Sequence, residues 1–391
     1  MLANLRLLVI ASVVGLLGFC PSGGNCAWGQ QFNADGSELS GADRNRLQLP
    51  IDLDRFETPT TAETEAAALP ELPVFPDLPV ESSDSVATRA SRSSFGFGDG
   101  DQRAPFRARM AWLPPVRVSN QPGNWEMHEE QVSLGAPLRI DEDGIWLALA
   151  SVEQVGISTS AAFSNSALAI PNQLWDVEFG VMHVRNLGED RRAGGMIRIG
   201  SPSDRPFDAL RDMSVTLLAW LTVPSGERDA WNFSLFYSPT GQIIFPIPGI
   251  AYMWRPNDQF QATLGIPFGV EYRPTERLTF TANYRPLTNV EVLARFALNE
   301  HWTLSGGYRT VNETYWLSDR EEDRERTYFF DQRLSVGLQR SIGPRWNLEL
   351  STSYVFDRHV FQAVKFSGPR RDEIDIDAGL CAAVMLSWTR P

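Results

Sequence analysis

Charged residues set between apolar ones recur through the C-terminal part of this chain: Glu271, Arg273, Arg285, Glu291, Arg295, Arg309, Asp331, Arg333, Glu349, Asp375 and Asp377. Charges of both signs facing one another across a lumen form an ion-selective constriction, since rings of charge set pore selectivity. The same residues can pack as a network of salt bridges that closes a small barrel. Both readings stand on the residues alone. Catalysis would need a nucleophile with a base in reach, typically Ser with His. The chain has four histidines, His128, His183, His301 and His359, and none belongs to a recognisable lipid-hydrolase signature. No catalytic residue, cofactor or metal ligand is assigned. The run Ser318-Asp319-Arg320-Glu321-Glu322-Asp323-Arg324-Glu325-Arg326 is dense in charge, but its interleaved arginines oppose a calcium site. It reads as a solvated loop, with a constriction loop or contact with anionic surface lipid as the alternatives.

Alternating charges need strands to aim them. From Ile374 to Trp388 every second residue is apolar, while the other face opens with Asp375 and Asp377. A period of two over such a length means a strand with two unlike faces. Soluble strands average about 5–6 residues, whereas a membrane-spanning barrel strand needs about 9–11, apolar toward lipid and tolerant of charge toward the lumen. Leu278, Phe280, Ala282 and Tyr284 alternate in the same way with Thr279, Thr281, Asn283 and Arg285. Val290 to Leu298, Trp302 to Tyr308, Leu334 to Leu338 and Trp346 to Phe356 repeat the pattern. Long loops and short turns alternate back from the C-terminus, as short periplasmic turns and longer extracellular loops do in outer-membrane barrels. The expectation is an all-β, transmembrane, antiparallel up-and-down β-barrel of about 12 strands (10–14).

Aromatics gather at the strand ends: Tyr252, Trp254, Tyr272, Tyr284, Trp302, Tyr308, Trp346, Tyr354 and Trp388. Such amphipathic rings belong at the headgroup level, as the interfacial girdles of a barrel. Aromatic-Arg-Pro recurs at Trp254-Arg255-Pro256, Tyr272-Arg273-Pro274 and Tyr284-Arg285-Pro286. Each marks a strand leaving the membrane, because proline cannot continue the ladder.

The N-terminus opens with Arg6 and a short apolar run from Leu7 to Leu17, the order of a signal peptide cleaved after Gly29. Cys20 and Cys26 leave with that segment, so the mature chain keeps only Cys381 and no intrachain disulfide. Residues 30–107 are rich in Pro, Ser and acidic residues and carry no periodicity, which reads as a disordered linker. The organisation expected is therefore signal peptide 1–29, linker 30–107 and barrel 108–391. A net charge of −13 without a basic stripe excludes nucleic acid.

The stretches Phe245-Pro246-Ile247-Pro248-Gly249-Ile250-Ala251-Tyr252, Leu264-Gly265-Ile266-Pro267-Phe268 and Val270-Glu271-Tyr272-Arg273-Pro274 resemble an uncharacterised family of bacterial outer-membrane barrels, a domain of unknown function. That resemblance implies the barrel and no activity. The chain end is similar to the assembly signal of outer-membrane proteins, although Thr389-Arg390-Pro391 follow Trp388. The residues point to an outer-membrane protein in contact with lipid and with the barrel-assembly machinery, with periplasmic or cell-wall contact through the linker. A passive porin-like channel is the expected function. A structural or surface-interaction barrel and a lipid-modifying hydrolase are the alternatives.

Overall fold

The computed structural model describes residues 105–141, 143–163, 169–238, 245–285 and 289–389. The signal segment and nearly all of the linker lie outside the described residues. The strands are β1 Phe106–Arg117, β2 Asn124–Ile140, β3 Gly144–Thr159, β4 Gln173–Asn186, β5 Arg192–Ser203, β6 Ser214–Ser225, β7 Asp229–Tyr237 and β8 Ile247–Asn257. They continue as β9 Phe260–Gly265, β10 Phe268–Thr275, β11 Leu278–Arg285, β12 Asn289–Ala297, β13 Trp302–Tyr315, β14 Arg326–Ile342, β15 Trp346–Ala363, β16 Asp372–Ile376 and β17 Gly379–Trp388.

Each strand from β1 to β15 pairs antiparallel with the next, and β17 pairs with both β15 and β1. Phe106 lies opposite Trp388 and Trp112 opposite Ala382, so the ladder closes on itself. Sixteen strands make this ring, while β16 pairs with the upper end of β15 and, through Ile376, bridges Val118 just past β1. Closure leaves no row of unpaired backbone groups at an edge, which is the condition for strands to survive in lipid.

Sixteen strands replace the twelve expected from the pattern. Four of them, β1, β5, β8 and β10, carry Gly and Pro that read as turn punctuation. The register shifts across Pro114-Pro115 in β1, Arg255-Pro256 in β8 and Arg273-Pro274 in β10. Proline is tolerated at such irregularities because the ladder needs no N–H there. In β5 the glycine has a packing reason, since a Cβ on Gly194 would meet the Trp220 ring at 2.1 Å.

At one end the turns are two to five residues long; at the other, connections run to thirteen, with two tight ones after β9 and β11. The wall is uneven. β14 and β15 are 17 and 18 residues long, whereas β9 has only six. The outer face is apolar all round: Phe179, Leu235, Val292, Leu334 and Leu350 are among its exposed residues. A belt of rings circles the short-turn end. Trp231 meets Tyr252 at 4.9 Å in a tilted contact, Trp254 meets Phe260 at 5.5 Å, and Phe260 leads on to Tyr272 at 6.3 Å. Trp302, under the Arg340 guanidinium, Trp346 and Trp388 complete it. Tyr284, Tyr308 and Tyr354 stand on the same outer face toward the long-loop end.

The face assignment is testable on β15. Leu350, 57 % exposed, points outward and Ser351 inward. Leu350→Arg should destabilise the barrel by about 2–4 kcal/mol in a bilayer, and Ser351→Arg by much less, measured as reversible unfolding in lipid.

Candidate functional site

The interior is built from every second residue of the long strands, and it is layered. At the long-loop end Leu113, Trp125, Tyr315, Phe329, Val360 and Ile374 are fully or almost fully buried in one apolar cluster. The Phe329 ring meets Trp125 at 6.3 Å and Tyr315 at 5.5 Å. Two residues beyond Ala111, Met127 and Phe329 of that cluster, toward the short-turn end of β1, β2 and β14, the inward positions become ionic. Glu129 receives Arg109 Nη1 at 2.6 Å and Arg333 Nη2 at 2.8 Å. Arg333 also grips Asp331 through Nε at 2.7 Å and Nη2 at 2.9 Å. Arg358 is buried on the same side of β15.

Arg333 on β14 reaches Glu129 on β2 over three intervening strands, β15, β17 and β1. That side-chain pair is a chord across the lumen rather than a rung along the wall. Below it lies a cavity of about 170 Å³ lined by Arg107, Gln131, Ser133, Ser151, Glu178 and Arg198. Within that lining Arg198 pairs with Glu178 at 3.1 Å. A second hollow of about 280 Å³ at the short-turn end includes Arg192, Thr222, Arg255, Gln261, Glu271 and Arg273.

At the long-loop end, opposite walls touch. Trp316 N donates to Pro202 O at 2.8 Å, and Ser203 and Trp316 form a parallel bridge. Their strands, β5 and β13, stand eight steps apart either way round the ring of sixteen. The connection 316–325 is therefore a strap that docks on the β5–β6 connection through Trp316, Ser318 and Arg320, while Asp319 and residues 321–324 stay exposed, as expected from their charge. Ser318 donates to Asp204 through both N and Oγ at 2.7 Å. Arg320 is 1 % exposed and reaches Asp212, 2 % exposed, at 2.6 Å. It also donates to Leu317 O at 2.7 Å and Arg211 O at 3.1 Å, with its guanidinium 5.2 Å over the Trp316 ring. Arg211 returns a bond to Ser318 O at 2.9 Å. At the end of the strap, burial pushes the Glu325 carboxyl above its ordinary value, against the pull of Arg371.

The eleven charges read from the pattern divide. Asp331 and Arg333 join the chord. Glu271 and Arg273 pair with each other in the lower hollow. Glu291 lies opposite Arg309, and Arg309 in turn opposite Arg333. Arg295 stands between Thr279 and Ser305, and Glu349 between Gln339 and Met385, on inward positions. Arg285 ends β11, where its side chain lies outside those described. Asp375 and Asp377 are not in the lumen. The last strand is broken at Asp377-Ala378, so Ile374 and Ile376 turn inward while Leu380 and Val384 turn outward. Asp375 consequently faces outward opposite His359, and exposed Asp377 accepts a bond from Ser119 Oγ.

Sequence reasoning missed Arg109, Glu129, Asp212, Arg320 and Arg358. The first two belong to β1, hidden by Pro114-Pro115, and to β2, whose faces are mixed. His359, expected in a loop, lies within β15, and His183 faces outward with its ring stacked 4.1 Å from Trp146.

No protein-family model and no curated protein matches the chain. Among solved structures, an outer-membrane channel from Pseudomonas putida F1 aligns with 75 % of this chain and 99 % of its own, at 9 % identity and TM-score 0.32. The translocator domain of the autotransporter NalP from Neisseria meningitidis covers 78 % of this chain and 95 % of its own, at 10 % identity and TM-score 0.28. A mutant of the TodX monoaromatic hydrocarbon channel covers 73 % and 89 %, at 11 % identity and TM-score 0.27. The family resemblance noted in the sequence gains no family model, and the barrel rests on the strand ladder itself.

Removing one partner from a buried charge cluster leaves the others uncompensated. Arg333→Met strips both Glu129 and Asp331 of a guanidinium and should cost about 3–5 kcal/mol. Urea unfolding followed by tryptophan fluorescence reads that loss, and Arg295→Met, outside the chord, is the control expected to fall well below it.

Proposed function

We propose that this chain is an outer-membrane barrel that acts as a passive porin-like channel of narrow bore for small ions and polar solutes. The observation that carries this reading is the layered interior: a ring of sixteen strands whose lower half is lined with polar and charged side chains. Barrels of 16–18 strands leave an aqueous channel, and paired charges at a constriction select among ions. The apolar exterior and the ring belt suit a bilayer, with the short turns periplasmic and the long connections outside. Both β1 and β17 then start or end at the periplasmic side, so the N-terminal 30–107 segment reaches toward periplasmic or cell-wall partners. The strap and the chord narrow the bore, which favours ions over larger solutes. Assembly through β17, the closing strand, fits recognition by the barrel-assembly machinery.

A barrel without a conducting pore is the second reading. The apolar cluster and the wall-to-wall contact at the long-loop end favour it.

Single-channel recording of the refolded full chain in a planar bilayer separates the two. The channel reading expects small conductance steps from the wild type and a several-fold larger conductance from Arg320→Ala, which frees the strap from Asp212. Silence from folded samples of both proteins would overturn it and leave the structural role. Orientation is tested independently in intact cells. Ser367→Cys, in the β15–β16 connection, should react with an impermeant thiol reagent, and Arg345→Cys, in a short turn, only after permeabilisation. The reverse pattern would invert the topology.

A further inference from the structure

Outside the barrel, at the long-loop end of β15, one imidazole is ringed by carboxylates. His359 Nδ1 lies 2.8 Å from Asp375 Oδ1 and 3.4 Å from Glu373 Oε1, while Nε2 lies 3.0 Å from Asp357 Oδ1. Donor atoms of His359, Glu373 and Asp375 all fall within 4.8 Å of one another. These residues come from two paired strands. The register of β15 against β14 shifts at Asp357, whose φ is 51°, and this turns His359 outward. Asp375 sits directly opposite it, and Glu373 is the next residue on the same face of β16. The Phe330 ring lies 6.5 Å from the imidazole and nearly parallel to it. His359, Glu373 and Asp375 side chains are 26 %, 33 % and 41 % exposed, so the cluster is held by the strands yet open to water.

The chemistry of this arrangement is directional. A neutral imidazole that donates Nε2–H to Asp357 carries its lone pair on Nδ1. Nδ1 faces Asp375 Oδ1 at 2.8 Å and Glu373 Oε1 at 3.4 Å, so an ion that takes the place of a proton at Nδ1 meets three electron-pair donors converging from neighbouring positions. A carboxylate behind the ring is also the usual orienting partner of a metal-bound histidine. One nitrogen and two carboxylate oxygens suit a borderline divalent ion such as Zn²⁺ and leave a coordination position for water. Mg²⁺ and Ca²⁺ prefer all-oxygen sets with more ligands. Arg370 pairs with the same Glu373 oxygen and lies 4.2 Å over the Phe361 ring, so an incoming ion must displace it from that oxygen or use the other one.

We propose that His359, Glu373 and Asp375 bind a Zn²⁺-like divalent transition-metal ion, with Asp357 orienting the histidine. The bound ion ties β16 to β15 beside the break at Asp377-Ala378.

The test uses the full chain, refolded in detergent without a polyhistidine tag and titrated calorimetrically with Zn²⁺, with Mg²⁺ and Ca²⁺ as controls. One Zn²⁺ per chain is expected, with no comparable heat from Mg²⁺ or Ca²⁺. His359→Ala should abolish that binding, and Asp357→Asn should weaken it about 10–100-fold, the loss typical of an orienting partner. Heat-modifiable gel mobility checks that each variant folds, and Asp375→Asn substitutes if His359→Ala does not. Absence of Zn²⁺ binding by the folded wild type would overturn the proposal. So would binding of unchanged affinity in a folded His359→Ala or Asp375→Asn variant; either result leaves the cluster as an ion-paired imidazolium.

Discussion

The interior depends on one contact, the backbone bond between Trp316 on the β13 side and Pro202 at the end of β5. A free ring of sixteen strands would be wide, with opposite inner faces too far apart for side chains to meet. Joining strands eight places apart draws the long-loop mouth together. The buried Arg320–Asp212 pair, with the Leu317 and Arg211 carbonyls, holds the join and satisfies the guanidinium it buries. A buried charge is tolerable only when so surrounded. Once the mouth is narrowed, Trp125, Tyr315 and Phe329 can form a core inside what would otherwise be a water-filled tube.

The charge layer follows from that narrowing. Glu129 accepts from two arginines, and Arg333 is shared between Glu129 and Asp331. Each nitrogen of the Arg333 guanidinium and each oxygen of Glu129 and Asp331 therefore has a geometric partner, which fixes the distance between β2 and β14 below the apolar cluster. The ring is tall on this side and low at β9, only six residues long. Packing thus concentrates on the tall wall, while the lower half of the lumen keeps its polar lining.

Strand faces were legible wherever apolar and polar residues alternated without Gly or Pro. Leu334, Val336 and Leu350 face outward as their pattern requires. Strand number was not legible, because Pro114-Pro115, Gly194-Gly195, Pro248-Gly249 and Pro274 imitate turns. Their backbones sit at bulges, at strand starts or against a large ring, circumstances that depend on neighbours distant in sequence. The chord was half legible: Asp331 and Arg333 follow from alternation, whereas Arg109 and Glu129 needed β1 to be recognised. The strap was illegible for a different reason. Its composition is that of a solvated loop, and Asp319 and residues 321–324 are exposed accordingly; the docking of Arg320 onto Asp212 depends on a partner distant in sequence.

The last strand shows how one local irregularity does two jobs. An unbroken alternation from Ile374 to Trp388 would send Ile374 and Ile376 to the outside and Asp375 to the lumen. The break at Asp377-Ala378 inverts the upper segment alone. Ile374 and Ile376 then complete the apolar cluster, and Glu373 and Asp375 are carried to the outer face above the Tyr354 and Phe356 rings. A matching shift at Asp357 on β15 inverts the neighbouring strand, so that the pairing survives and His359 meets Asp375. Neither inversion is tolerable alone, since a one-residue slip in one strand would set carboxylates against the core. The pair of shifts is thus a single structural unit: it closes the inside of the mouth with hydrocarbon and collects the displaced carboxylates around one histidine on the outside.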